Sequence, residues 1–139
     1  MPLAQRNLGG LEQNRAGGTT QLYENCISVN INFLATKALV DTGAKKSCID
    51  KILVNRLKIK IDHSEQGGFL YGANGNRIPI IGTIVADVVI QELRMPTTFL
   101  VMESLTHQVI LGIDFLKDNE AIIDTSRGLI SFHDKLIAA

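Results

Sequence analysis

The chain contains no tryptophan, and only two tyrosines and five phenylalanines among 139 residues. A core must therefore be built from Ile, Leu and Val, a bias that favours strands over helices. Two cysteines, Cys26 and Cys48, are too few for a disulfide scaffold. With no apolar leader at the N-terminus, they are expected to be reduced thiols. Neither sign of charge is in excess: fourteen basic residues balance fourteen acidic ones. That leaves no electrostatic footprint for nucleic acid or an anionic membrane. No apolar run approaches the length of a membrane span. Three histidines (His63, His107 and His133) are scattered without Cys or acidic partners at ligand spacing, so no metal or other cofactor is expected.

What is present is ordinary globular material, 45% hydrophobic and 20% charged, in a length that suits one domain. Residues 1–21 carry paired glycines and amides without periodicity and are expected to be a flexible tail or linker. The folded domain is expected over 22–134, with a C-terminal extension at 135–139. In "CISVNINF" the residues Ile27, Val29, Ile31 and Phe33 alternate with polar ones, which predicts a half-buried strand. "LATK" reads as a turn and "KALVD" as a second strand. Asp50 is placed to cap a short helix over "KILVNRLKI", and a strand is expected over Ile59 to Asp62. Asn74-Gly75 predicts a two-residue type I′ hairpin, with positive φ at both positions. Pro79 keeps that hairpin out of the middle of a sheet. "TIVADVVIQ", "TTFLVME" and "VILG" follow as strands, "IDFLKDN" as a short helix and "AIIDTSRGLISF" as a terminal hairpin. Eight to ten short strands predict an all-β protein: a compact closed barrel with one or two short helices.

The chemistry centres on "ALVDTGA". An apolar strand delivers Asp41 to its end, where water is partly excluded. The Thr42 hydroxyl can lock the loop, Gly43 permits a close backbone approach, and Ala44 is small enough to let another segment lie beside it. One acid cannot both activate a water and protonate a leaving group, whereas two carboxylates sharing a proton can. "AIIDTS" offers Asp124 as a second acid, but Ser126 replaces the glycine and an "SRG" turn follows. One domain of this size also has no evident room for two equivalent lobes. The expectation is therefore two copies of Asp41 meeting at a two-fold axis.

In this order, "ALVDTGA", a Gly-rich hairpin and "VILG" before a short helix resemble the retropepsins, roughly from Cys26 to Phe132. These are homodimeric aspartic proteases of retroviruses and long-terminal-repeat retrotransposons. "ILGIDFLKDNEAIID" is similar to the Gypsy-type members. The resemblance implies that Asp41 is the catalytic aspartate and that the Thr42 hydroxyl links the two active-site loops. Gly43 would then complete the triad and Ala44 would sit beside substrate. It implies a flap over Phe69 to Ile80, including Leu70, Tyr71, Gly72, Ala73, Asn74, Gly75 and Ile80. Ile81 and Ile110 become further wall residues, and Gly112 a glycine that allows a close crossing. The implied partners are a second copy of the chain and an extended polypeptide, its own Gag-Pol-type polyprotein. The implied setting is the cytoplasm or a virus-like particle.

Two departures from the family pattern stand out. Lys45 and Lys46 follow the triad where many members have acids, and Asp114 follows the late glycine where many have an arginine. A swapped pair, Asp114 with Lys45 or Lys46, is one expectation; three separately solvated charges is the other. The lysines also hint at tolerance for acidic or polar flanking positions in a substrate. The polar N-terminus shifts the expected dimer interface to the C-terminal strands, with "GLISF" and then "KLIAA" as its segments. Three rival readings keep the motif but change its use. One is a catalytically silent dimerisation or peptide-binding module. Another is a cellular retropepsin-like domain, as in ubiquitin-shuttle proteins. A third, a metal-dependent phosphoryl acceptor at Asp41, is disfavoured by the two lysines where further acids would be needed.

Overall fold

A computed structural model describes residues 19–22, 24–72 and 74–133. Ala73 and the segment 135–139, both named above, lie outside the described residues. The elements in order are β1 (Thr19–Gln21), β2 (Cys26–Ile31), β3 (Leu34–Val40), β4 (Cys48–Asp50), α1 (Lys51–Leu57), a 3-10 turn (His63–Glu65), β5 (Phe69–Tyr71), β6 (Arg77–Ile90), β7 (Leu93–Met102), β8 (Val109–Leu111), α2 (Ile113–Asp118), β9 (Ile122–Asp124) and β10 (Leu129–Ser131).

Strands β2, β3, β8, β4, β7 and β6 are hydrogen-bonded in that order, and β6 returns to β2 through Asn30↔Val89 and Ile31↔Val88. The result is the expected closed barrel of six strands with two short helices. Alternation in β2 buries Ile27, Val29 and Ile31, and β6 does the same with Ile84, Ala86, Val88 and Ile90. Phe99, Val101, Val109 and Leu111 fill the centre. Each such side chain contributes ~1.5–3 kcal/mol on leaving water. The Asp50 cap forms as expected, its Oδ1 accepting from Ile52 N at 2.8 Å, so α1 packs Leu53, Val54 and Leu57 inward.

The β2–β3 turn differs from the reading of the sequence. The chain reverses at Asn32 (φ 49°) and Phe33 (φ 69°), and "LATK" belongs to β3. Phe33, expected on the buried face, is 97% exposed. The alternation runs one step past the strand's end because a two-residue turn does not interrupt a period of two. Ile59 to Asp62 supplies only a bridge, Asp62 to Thr83, rather than a strand. In the β5–β6 hairpin only Gly75 has positive φ (84°) and Asn74 does not. Asn74 Oδ1 instead accepts from Asn76 N, and Gly72 N bonds Asn76 O, giving a longer connection than type I′.

A second, three-stranded sheet runs β1-β10-β9. The end of the expected tail is thus strand: Thr19–Gln21 pair with Leu129–Ser131. Within "GLISF", Leu129, Ile130 and Phe132 are buried in the chain's own core, and both edges of β10 are occupied. That segment therefore has neither a free edge nor an apolar face for an interface.

Candidate active site

Strand β3 carries Asp41 to the barrel's end because its last residues pair in parallel with β8, Leu39 with Ile110 and Val40 with Leu111. The strand register continues one bond further: Asp41 N donates to Leu111 O at 3.0 Å. The loop then folds on the aspartate. Gly43 N donates to Asp41 Oδ1 at 3.0 Å, and Ala44 N to Asp41 O at 3.2 Å. The first bond holds the carboxylate through Oδ1. Thr42 and Gly43 are exposed, and Ala44 is half-buried.

Gly112 crosses this loop as expected. A Cβ there would lie 2.7 Å from Ala44 O and 2.8 Å from Lys46 C, both backbone atoms. Ile113 N also donates to Ala44 O at 2.7 Å. Of the expected residues, Ala44 and Gly112 therefore meet in the Asp41 loop, and Ile110 lies opposite Leu39, two positions before the aspartate.

The link that holds the crossing is one the sequence reading missed. Ser47, fully buried, donates its hydroxyl to Asp114 Oδ1 at 2.7 Å and its N–H to Oδ2 at 3.1 Å. The same hydroxyl accepts from Gly112 N at 2.9 Å, and Phe115 N reaches Asp114 Oδ1 at 2.7 Å. Asp114 is thus satisfied by Ser47 and α2's first turn. Among the described residues no ion pair joins it to Lys45 or Lys46, so the swapped-pair expectation fails and the lysines are exposed. A small hydroxyl residue just before the buried run of β4 was the only signal for Ser47. Burial, then the charges of Asp114 and Asp41, push the neighbouring Cys48 thiol up to about 11.

The hairpin lies apart from this cluster. Its pleat puts Leu70 opposite Ile78 on the more buried face, and Phe69, Tyr71 and Arg77 on the other. Phe69 and Tyr71 meet edge to face at 5.4 Å, with Arg77 4.8 Å from the Phe69 centroid. Leu70 and Tyr71 therefore point to opposite sides, and Ile78 joins Leu70. Gly72 is half-buried against Ile78, while Asn74 and Gly75 form the exposed tip. At the base, a bulge between Ile80 and Gly82 breaks the β6–β7 register. Ile80 and Ile81 there are half-buried. Among the described residues no hydrogen bond joins this hairpin to the Asp41 loop.

Asp124 sits in the other sheet. Its Oδ1 accepts from Ser126 Oγ at 2.7 Å and Arg127 N at 3.1 Å, bonds that hold its carboxyl below the usual range. It is a turn-closing residue of the β9–β10 hairpin. Among the described residues no cluster of three His, Cys, Asp or Glu could hold a metal ion.

A family model described as "gag-polyprotein putative aspartyl protease" matches residues 27–118. The chain belongs to this family of retropepsin-like aspartic proteases. It is 31% identical to DNA damage-inducible protein 1 of Neurospora crassa over 75% of this chain and 24% of that protein. Among solved structures, the retroviral protease-like domain of Ddi1 from Leishmania major matches with a TM-score of 0.69. Identity there is 26%, and 83% of this chain and 90% of that one are covered. The EIAV protease complexed with the inhibitor HBY-793 matches with a TM-score of 0.55 at 28% identity, over 67% of this chain and 85% of that one. The chain spans about a quarter to a third of the length of the curated relatives it matches.

Proposed function

We propose that the domain is an aspartic endopeptidase whose active site forms when two copies each contribute one Asp41. The observation that carries this is the state of the carboxylates. Asp41 is presented on an exposed-edged loop with one oxygen tied to Gly43 N, while Asp114 and Asp124 are committed to Ser47 and to a hairpin turn. A second acid for the dyad then comes from a symmetry mate. In the pair, the ionised Asp41 takes a proton from water and the protonated one polarises the peptide carbonyl. The resulting hydroxide adds to the carbon, and the amine departs with a proton from the dyad. Thr42, exposed beside the axis, is assigned the bond between the two loops.

The substrate is an extended polypeptide, laid down as an added strand under the Phe69–Ile80 hairpin acting as a flap. Leu70, Ile78, Ile80 and Ile110 are its apolar walls. The named relatives favour a cellular domain acting on another protein over processing of a Gag-Pol polyprotein. The description of the matching family and the likeness to a viral protease keep the second reading in play.

Incubation with a peptide library, with and without pepstatin, tests the activity. Cleavage that pepstatin blocks and Asp41→Asn abolishes is expected, with active protein at twice the chain mass. Activity from a strict monomer overturns the shared dyad. Cleavage of cellular extract proteins but not of a Gag-Pol-type polyprotein separates the two substrate readings.

A further inference from the structure

We infer that Lys45 and Lys46 make the domain select polypeptides bearing an acidic side chain within a few residues of the scissile bond; this rests on the protease reading above. Both lysines are exposed and follow Asp41 by four and five positions. Some cations have acidic partners, Lys51 with Glu103, Arg94 with Asp87 and Arg127 with Asp124, while the exposed Lys58, Lys60 and Lys117 have none among the described residues; Lys45 and Lys46 differ from these in following the Asp41 loop directly. Among the described residues, Lys45 and Lys46 have none within ion-pair distance.

Their backbone is fixed. Ala44 O is held by Ile113 N, and the Lys46 carbonyl packs where Gly112 crosses. The charges therefore cannot be carried away from the site without breaking that crossing. Consecutive Cα atoms are ~3.8 Å apart, which puts both lysines within ~19 Å of Asp41 at full extension, less in a folded loop. An extended substrate advances ~3.3 Å per residue, so its first four or so flanking positions pass within reach of a lysine stem.

The two cations are not equivalent. Lys46 lines a groove of about 400 Å³ with Asp62 and Asp114. The Asp62 carboxyl is held below the usual range by Ser64 N, so this acid is charged at neutral pH and offsets Lys46. Asp114 has its hydrogen-bonding capacity taken by Ser47 and Phe115. Lys45 is not among the residues lining that groove with Asp62 and Asp114, so it is assigned the larger share of the preference.

The test compares matched peptides with Glu or Gln at one flanking position, in each of the four positions on either side of a cleaved bond. At low salt, kcat/KM is expected to favour Glu by about two- to fivefold at one or more positions, and the ratio to shrink toward one in 0.5 M NaCl. Lys45→Gln should reduce the ratio more than Lys46→Gln, and the double change to Glu should invert it. Equal rates for Glu and Gln peptides at every position overturn the inference and leave the protease reading intact. No cleavage of either peptide overturns both.

Discussion

Ser47 and Asp114 are joined twice, through the Ser47 hydroxyl and its backbone N–H, although they lie 67 residues apart in sequence. The pair fastens the start of α2 to the loop that carries Asp41. Because Ser47 Oγ also receives Gly112 N, removing it leaves a buried donor and an acceptor unpaired. Ser47→Ala is expected to cost ~1–3 kcal/mol, read by urea unfolding. Proteolysis should fall further than the lost stability explains, with kcat more affected than KM, because Asp41 is positioned through this link. A Ser47→Thr variant that keeps the hydroxyl should recover most of the rate; failure of that rescue would argue for a purely packing role.

Gly112→Ala presses a methyl group against three backbone atoms within 2.9 Å. None can turn aside as a side chain would. We expect ~2 kcal/mol or more of destabilisation and loss of cleavage, measured as a drop in Tm beside an activity assay. A folded, active Gly112→Ala protein would show that the crossing is looser than these contacts imply.

Asp124→Asn should separate the two "DT" acids. Asp124 has a lowered folded pKa, so its stabilising bonds are fully present above the unfolded value near 4 and fade as pH falls through the folded one. The variant should therefore unfold more readily than wild type at pH 7, and the gap should close toward pH 2. Cleavage at neutral pH should be retained, in contrast to Asp41→Asn.

Cys48 is buried and its thiol is raised from 9.0 to about 11, with burial as the main cause. Native protein treated with a thiol reagent at pH 8 should be modified at Cys26, which is half-buried, well before Cys48. The sign on stability is fixed. The contribution is whole below pH 9 and is lost between about pH 9 and 11, as the unfolded thiol ionises first; it amounts to ~2–3 kcal/mol. Chemical unfolding across that range should show the loss, and Cys48→Ser should flatten it.

Phe33 sits at φ 69°, a region that costs a bulky residue ~1 kcal/mol, and its ring is almost wholly in water. Phe33→Gly creates an Asn-Gly turn suited to both positive φ values. Stability is expected to rise by ~0.5–1 kcal/mol, read as a higher urea midpoint at unchanged slope.

Much of the fold was legible because the aliphatic alternation of β2, β6 and β7 and the Asp50 cap are local signals. Asp41, Gly112 and their neighbourhood were legible because a motif fixes their order. The misreadings share one cause, which is pairing that no window of sequence displays. "LATK" is strand because Ala35 and Thr36 lie opposite Asn30 and Val29. "GLISF" looked available for an interface, but Thr19–Gln21, more than a hundred positions earlier, closes its edge. Lys45, Lys46 and Asp114 suggested an ion pair by charge alone. The buried hydroxyl of Ser47 offers Asp114 a closer and already desolvated partner.

The parallel pairing of β3 with β8 has a consequence in time. Asp41 N is held by Leu111 O, and its loop by Ile113 and Asp114, so the local bonds from Gly43 and Ala44 cannot seat the aspartate at the barrel's end until those residues arrive. Contacts this distant in sequence form slowly and late. During synthesis the acid leaves the ribosome some seventy residues ahead of the strand that orients it. The nascent chain therefore carries a carboxylate not yet seated at the barrel's end until nearly the whole barrel has emerged.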